Sequence, residues 1–397
     1  MKRHIAFFNV PGLGHLTPTL PVVEELVRRG HRVSYPVARQ YAGLVAGAGA
    51  RALPYSSPLP DEAPAPVVDG EVLAGVPLKY LREGMLALEC GERALAADRP
   101  DLIVYDTTMF AAGRVLARKW GLPAVRTFPT LAANEHFSLD RVVPEELVPV
   151  DPRHPALAEF FTTLVGLFAR HGMAQVDVGR FLAETEETNI VFLPREIQIK
   201  GETFDDRFVF TGPCLGDRSF ETEWKVPDDG NPLVLISLGT SVHTGPAFFR
   251  SCARAFAGAP WNVVMTLGGR VDPASVGPLP PNVTAHPWVP HPAVLRHAAA
   301  FVTQGGMGSA MEALYCGTPM VVVPSTPEQE VNARRLAELG VARRHAPAAA
   351  ATGEALREAV LALAADPATA ARVRRMSDVV RGAGGAARAA DAVEARL

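Results

Sequence analysis

Between Phe301 and Gln329 the sequence reads FVTQGGMGSAMEALYCGTPMVVVPSTPEQ: an apolar run, a glycine cluster, a helix-like segment, a second apolar run and a Glu-Gln pair. The pattern predicts a strand at Ala299–Thr303, a turn at Gln304–Gly308 and a helix at Ser309–Tyr315 stopped by Gly317. A helix start presents unbonded N–H groups and the positive end of its dipole, so the chemistry it favours is the binding of phosphate. Glycines in the turn let the backbone approach a ligand closely. A P-loop requires GxxxxGK(S/T), and no lysine follows these glycines. A dinucleotide fingerprint requires GxGxxG and an acidic residue about twenty positions on. The cluster lacks that spacing. The earlier GLGHLTP has Gly12 and Gly14 but Thr17 in the third place, and no acid ends the following strand RVSYPVARQ. Hydride transfer with a nicotinamide therefore loses its ribose contact. On the glycines alone, a tight turn with no ligand stays open.

The elements that must position such a turn are legible on both sides of it. HIAFFNV reads as a strand, TLPVVEELVRRG as a helix, and HRVSYPV, LIVYD (Leu102–Asp106) and PAVRTFP as further strands, with AAGRVLARKWG a helix between the last two. Strands alternating with helices imply parallel βαβ units and a sheet covered on both faces. PLPDEAPAP, Pro58 to Pro66, is expected as a surface loop, because its prolines remove donors. From about Leu131 to Thr188 the rhythm lapses. ALAEFFTTLVGLFARHG and VDVGRFLAETEE read there as helices with broad apolar faces, either a cover for a ligand cleft or additional core. The rhythm returns with NIVFLP and FVFTGP, pauses in the polar stretch Cys214–Pro232, and restarts with LVLISLG and WNVVMTLG. The domain boundaries expected are 1–213, a linker 214–232, a second domain 233–380, and a last helix 381–397 packing back on the first.

The chain has 397 residues, too many for one ordinary core, and its 48% apolar and 20% charged composition fits a globular protein. A formal charge of −3 gives no footprint for nucleic acid or an anionic membrane. Cys90, Cys214, Cys252 and Cys316 show no CxxC spacing, which argues against a zinc site or disulfide framework and for a cytoplasmic location. The first apolar run breaks at Asn9 and Pro11, so it reads as a buried strand rather than a signal segment.

Taken in order and spacing, GLGHLTP, LIVYDTTMF, FVFTGPCLGDR, LVLISLGTS, PWVPHPAVL and the Phe301–Gln329 stretch with PEQEVNARRLAELG carry a resemblance over nearly the whole chain. The sequence resembles the inverting nucleotide-sugar glycosyltransferases of the GT-B fold, in the bacterial branch that glycosylates macrolides and other natural products. The resemblance implies an α/β fold of two Rossmann-like domains whose parallel sheets face each other across a cleft. His15 matches the histidine the family uses as general base on the acceptor hydroxyl, and an ordinary imidazole, titrating near pH 6.5, suits that task. Asp106 matches the aspartate that bonds the far nitrogen of that histidine.

For the donor, the resemblance places Ser237, Thr240 and Ser241 at the β-phosphate, with Gln304, Gly306, Gly308 and Ser309 completing the diphosphate cradle. Trp288 would stack on the base beside His291, Glu312 would accept the ribose hydroxyls, and Glu328 and Gln329 would hold those of the sugar. Two positions depart from the family pattern. Gln304 stands where a histidine usually begins the phosphate motif, and His291 where a glutamine usually closes the tryptophan motif. A glutamine amide donates but cannot become positive, and neutral hydrogen bonds are weaker than charged ones.

The activity implied is single-displacement transfer of a sugar from a UDP- or dTDP-sugar to a hydroxyl of an apolar small-molecule acceptor, a macrolide or an aromatic polyketide. No DxD-like motif is placed to bridge phosphates, so no metal and no cofactor is expected, the nucleotide sugar being a co-substrate. Two other readings remain: a relative that binds nucleotide sugar without turnover, favoured by Gln304, and a nucleotide-sugar epimerase of the same fold. Retention of His15, Asp106, Glu312, Glu328 and Gln329 counts against the first, and the His15–Asp106 pair against the second. Whether the chain is a monomer or a homodimer stays open.

Overall fold

The structure is a computed structural model describing residues 2–59, 68–216, 224–225, 227–239, 245–269 and 271–397. Contacts divide it into two compact units: one holds the described residues of 1–62, 69–214 and 383–397, the other Val68 and those of 215–382. Within the described residues no helix is long and apolar enough to cross a membrane.

The first unit is built on seven parallel strands: β1 His4–Phe8, β2 Arg32–Ala38, β3 Arg51–Tyr55, β4 Leu102–Asp106, β5 Ala124–Phe128, β6 Asn189–Val191 and β7 Phe208–Phe210. Their order across the sheet is β3-β2-β1-β4-β5-β6-β7. β1 and β4 are buried at every position, as continuous apolar runs covered on both faces must be. Alternation divides the side chains. Ala6, Phe8, Ile103 and Tyr105 pack with Leu81, Leu88 and Leu116 on one face. Ile5, Phe7, Leu102 and Val104 pack with Leu16, Val23 and Leu26 on the other. The final helix, Gly385–Glu394, adds Ala389, Ala390 and Val393 to that second face, and Arg29 bonds Asp391 and Glu394 along its edge.

The second unit repeats the winding with six strands: β8 Leu233–Ser237, β9 Asn262–Thr266, β10 Val283–His286, β11 Ala298–Thr303, β12 Met320–Val322 and β13 Ala342–Arg344, in the order β10-β9-β8-β11-β12-β13. All pairings are parallel. In each unit the first strand lies between the second and the fourth, so the winding reverses beside it. That reversal opens a crevice past the carboxyl ends of the two central strands, where an open α/β sheet binds ligands.

Two local readings of the sequence are corrected and one open alternative is decided. The helix expected over VDVGRFLAETEE is confined to Val178–Ala183, and an additional helix spans Leu139–Glu146 with Pro144 inside it. In Pro155–Arg170, where cover for a cleft and additional core were both open, much of the apolar face is core: Phe160, Leu164, Leu167 and Phe168 are buried, while Phe161 and Val165 face outward. The helix after the glycine cluster starts at Met307, two residues before the expected position.

Candidate active site

In the first unit the winding reverses between β1 and β4, and each strand delivers one polar side chain there. Asn9 ends the apolar run of β1, and the short helix Leu13–Leu16 that follows carries His15. The Asn9 amide nitrogen donates to the His15 carbonyl at 2.8 Å, fixing the turn that holds the imidazole. Asp106 is the last residue of β4 and is 1% exposed. Its Oδ2 lies 2.9 Å from His15 Nδ1, and its Oδ1 accepts from the Thr108 N–H at 2.8 Å and the Thr108 hydroxyl at 2.6 Å. Burial pushes this carboxyl up, but the His15 charge, its hydrogen bond and the two Thr108 donors outweigh that and hold it below its ordinary value. An ionised carboxylate facing Nδ1 stabilises the tautomer with its hydrogen on Nδ1, leaving Nε2 as the basic nitrogen. Beside the imidazole, Cβ atoms built on Gly12 or Gly14 would meet nothing within 4 Å among the described residues.

Sequence reasoning did not single out Asn9 or Thr108. Both left a trace: an amide interrupting the run HIAFFNV, and a threonine pair directly after Asp106.

In the second unit the reversal lies between β8 and β11. β11 ends at Thr303, and Gly305, at φ +86°, turns the chain into the helix Met307–Cys316. A Cβ at Gly305 would come within 2.6 Å of Val322 Cγ1, so both conformation and space demand glycine there. Gly306 is the N-cap, at a φ of −59°. The first intrahelical bond runs from Ala310 N–H to the Gly306 carbonyl, which places the N–H groups of Met307, Gly308 and Ser309 ahead of the ladder. A Cβ at Gly308 would meet nothing within 4 Å among the described residues. Neither backbone strain nor a protein neighbour requires glycine at 308; it opens space over a row of donors, the form of an anion cradle.

The other expected donor residues are found in different states. Ser237 is buried at the end of β8, where its hydroxyl accepts from the Gly239 N–H at 3.4 Å; it shapes the turn instead of facing outward. Thr240 and Ser241 lie outside the described residues. Gln304 is 6% exposed; its amide nitrogen packs on Gly239, and its Oε1 is buried with no partner among the described residues. His291 opens the helix His291–Leu295, stands edge-on to Phe301, and places Nδ1 3.5 Å from Glu312 Oε2. Two of the three residues expected at the base and ribose are thus brought side by side. Trp288, three residues earlier, is 67% exposed, a large apolar surface left open.

Glu328 is exposed in the first turn of the helix Pro327–Glu338. Gln329 is buried, and its Oε1 accepts from the Ser325 and Thr326 N–H groups in a capping box with Thr326. That oxygen belongs to the helix cap, so only the amide nitrogen of Gln329 can turn to a ligand.

The first unit holds a histidine–carboxylate pair of the kind that takes a proton; the second, by itself, holds a helix start of the kind that binds phosphate. Comparison with known proteins identifies the family. Residues 219–382 match the family model described as UDP-glucoronosyl and UDP-glucosyl transferase. The NDP-glycosyltransferase YjiC of Bacillus licheniformis is 38% identical over 100% of this chain and 98% of its own length. The demethyllactenocin mycarosyltransferase of Streptomyces fradiae is 39% identical over 99% of this chain and 86% of its own. The crystal structure of CalG4, the calicheamicin glycosyltransferase, superimposes with a TM-score of 0.89 at 43% identity, covering 100% of this chain and 98% of that one. The chain belongs to the UDP-glucosyl transferase family of GT-B glycosyltransferases, in the branch that holds the bacterial natural-product enzymes.

Proposed function

We propose that the protein transfers a sugar from a UDP- or dTDP-sugar to a hydroxyl of an apolar natural product, a macrolide or an aromatic polyketide, with inversion at the anomeric carbon. The observation that carries the mechanism is the chain Thr108–Asp106–His15. In this reading His15 Nε2 removes the proton from the acceptor hydroxyl as its oxygen attacks the anomeric carbon. Asp106 stabilises the imidazolium that forms, the triad logic without a protein nucleophile. The bond from the anomeric carbon to the diphosphate breaks as the glycosidic bond forms, and the N–H groups at Met307–Ser309 stabilise the charge appearing on the departing diphosphate. Trp288 stacks on the base, Glu312 with His291 accepts the ribose hydroxyls, and Glu328 with the Gln329 amide meets the sugar. Transfer needs no metal in this proposal, because backbone donors take the place of a bridging cation. The natural-product acceptor is suggested by relatives such as the mycarosyltransferase, which is named for demethyllactenocin.

His15→Ala tests the base. Transfer falls by about 10²–10⁴, the contribution of a positioned general base, with donor affinity unchanged. Turnover within threefold of the unaltered protein removes His15 from this role. Differential scanning fluorimetry with UDP, dTDP and GDP identifies the nucleotide, because the one bound raises the melting temperature by mass action.

A further inference from the structure

Behind the anion cradle lies Asn332, one turn beyond Gln329 on the helix Pro327–Glu338 and 0% exposed. Its amide nitrogen donates to the Gly305 carbonyl at 3.1 Å. Among the described residues its Oδ1 is buried with no partner. A buried carbonyl oxygen without a donor is unfavourable, and an apolar side chain of similar volume would avoid that loss. Asparagine here is therefore not the choice that best fills the core. What it supplies is a donor at one backbone carbonyl, in the residue whose positive φ turns β11 into the helix Met307–Cys316. Exchanging the two ends of the amide would set oxygen against the Gly305 carbonyl, so the hydrogen bond fixes its orientation.

The same turn is held from two other directions. The Gly305 N–H donates to Thr303 Oγ1 at 3.3 Å, and Val322 closes the space behind Gly305. Both outer restraints come from the sheet; Asn332 is the restraint from the helix side. That helix carries Gln329 as well, which bonds the N–H groups of Ser325 and Thr326. One rigid element thereby anchors two loops, the diphosphate turn and the segment leading to the sugar-binding pair.

We infer that Asn332 is a positioning residue for the donor: by holding the Gly305 carbonyl it aims the N–H groups of Met307, Gly308 and Ser309 at the diphosphate. This inference rests on the proposed donor site. It differs from a role in stability alone, because it predicts a loss confined to the phosphate part of the ligand.

The test compares Asn332→Leu, which removes donor and orphaned oxygen together, with Asn332→Asp, which keeps the shape but sets an acceptor against the carbonyl. Calorimetry measures binding of the nucleoside diphosphate and of the matching nucleoside to each. The expected result is a roughly 10- to 30-fold loss for the diphosphate in both variants, with nucleoside affinity within twofold. The donor KM rises in step while the acceptor KM holds. Amide exchange quickens at residues 305–309 and not in the interior of the helix Pro327–Glu338. Equal losses for nucleoside and diphosphate, or diphosphate binding within twofold of the unaltered protein, overturn the inference. If Asn332→Leu does not fold, Asn332→Asp decides by the same criteria. If neither folds, Asn332 is a stability residue and the inference fails. Absence of nucleoside diphosphate binding by the unaltered protein would instead overturn the donor site itself.

Discussion

Asp106→Asn separates geometry from charge at the dyad. Asp106 is buried, and its Oδ1 is held by two donors from Thr108, the N–H at 2.8 Å and the hydroxyl at 2.6 Å. An asparagine placed there keeps its carbonyl oxygen toward those donors, because turning it would set NH2 against N–H. The NH2 then faces His15 Nδ1 across the present 2.9 Å contact and asks that nitrogen to accept. The imidazole must move its hydrogen to Nε2, the atom that should take the acceptor's proton. A hydrogen bond to a charged partner contributes roughly 1.5–3 kcal/mol, so losing the carboxylate alone slows proton removal by about 10- to 150-fold. Inversion of the tautomer multiplies this, and the total expected is about 10³–10⁴ in kcat, the scale known for such inversions in triads. Single-turnover kinetics with the donor identified by fluorimetry measures it. Nitrogen-15 shifts of His15 read the tautomer without substrate: hydrogen on Nδ1 in the unaltered protein, on Nε2 in the variant. A variant that keeps more than about a tenth of the rate, or an unchanged tautomer, refutes the reasoning.

Gly308→Ala is expected to raise thermal stability while weakening the donor, because the position has open space and sits within a helix, where alanine is favoured by roughly 0.5–1 kcal/mol; melting temperature and donor KM on one preparation check it. Trp288→Ala, at a largely exposed indole, should change stability by less than about 0.5 kcal/mol, yet cost nucleotide binding about 1–3 kcal/mol if the indole stacks on the base. Acid should release the dyad. The Asp106 carboxyl titrates lower in the folded chain than in the unfolded one, so its contribution is present above the unfolded value and is lost as pH falls through the folded value. Urea midpoints between pH 3 and pH 7 should consequently fall less steeply for Asp106→Asn. Burial pushes the Cys214 and Cys252 thiols up to about 12 and Cys316 up to about 11, so a thiol reagent at pH 8 should label these three rapidly only after unfolding.

Much of the architecture is legible because parallel strands buried on both faces leave continuous apolar runs, and HIAFFNV, LIVYD and LVLISLG each form a central strand. The start of the helix after Thr303 was less legible. Its cap is Gly306, with no side chain to mark it, so the glycines read as turn and the pattern predicts a start only at Ser309. In the second helical stretch, Pro144 sits inside Leu139–Glu146 and hid that helix from a reading that takes proline as a break. For the Glu-Gln pair the family resemblance implies two sugar contacts, and the fold adds a second task that the sequence did not mark, the Gln329 oxygen serving as a helix cap.

By itself the sequence determined which elements form and which residue types stand at their ends, because apolar period, proline and glycine act over a few residues. It fixed an imidazole after the first strand, a carboxylate at the tip of a later one and a glycine-opened helix start. That His15 and Asp106, 91 residues apart, share a hydrogen bond was decided by the pairing of β1 with β4, a choice among partners made by packing over the whole sheet. Packing likewise gave Asn332 its hold on Gly305 and set His291 beside Glu312. Such contacts depend on how helices settle onto a sheet, and no local pattern in the chain encodes them.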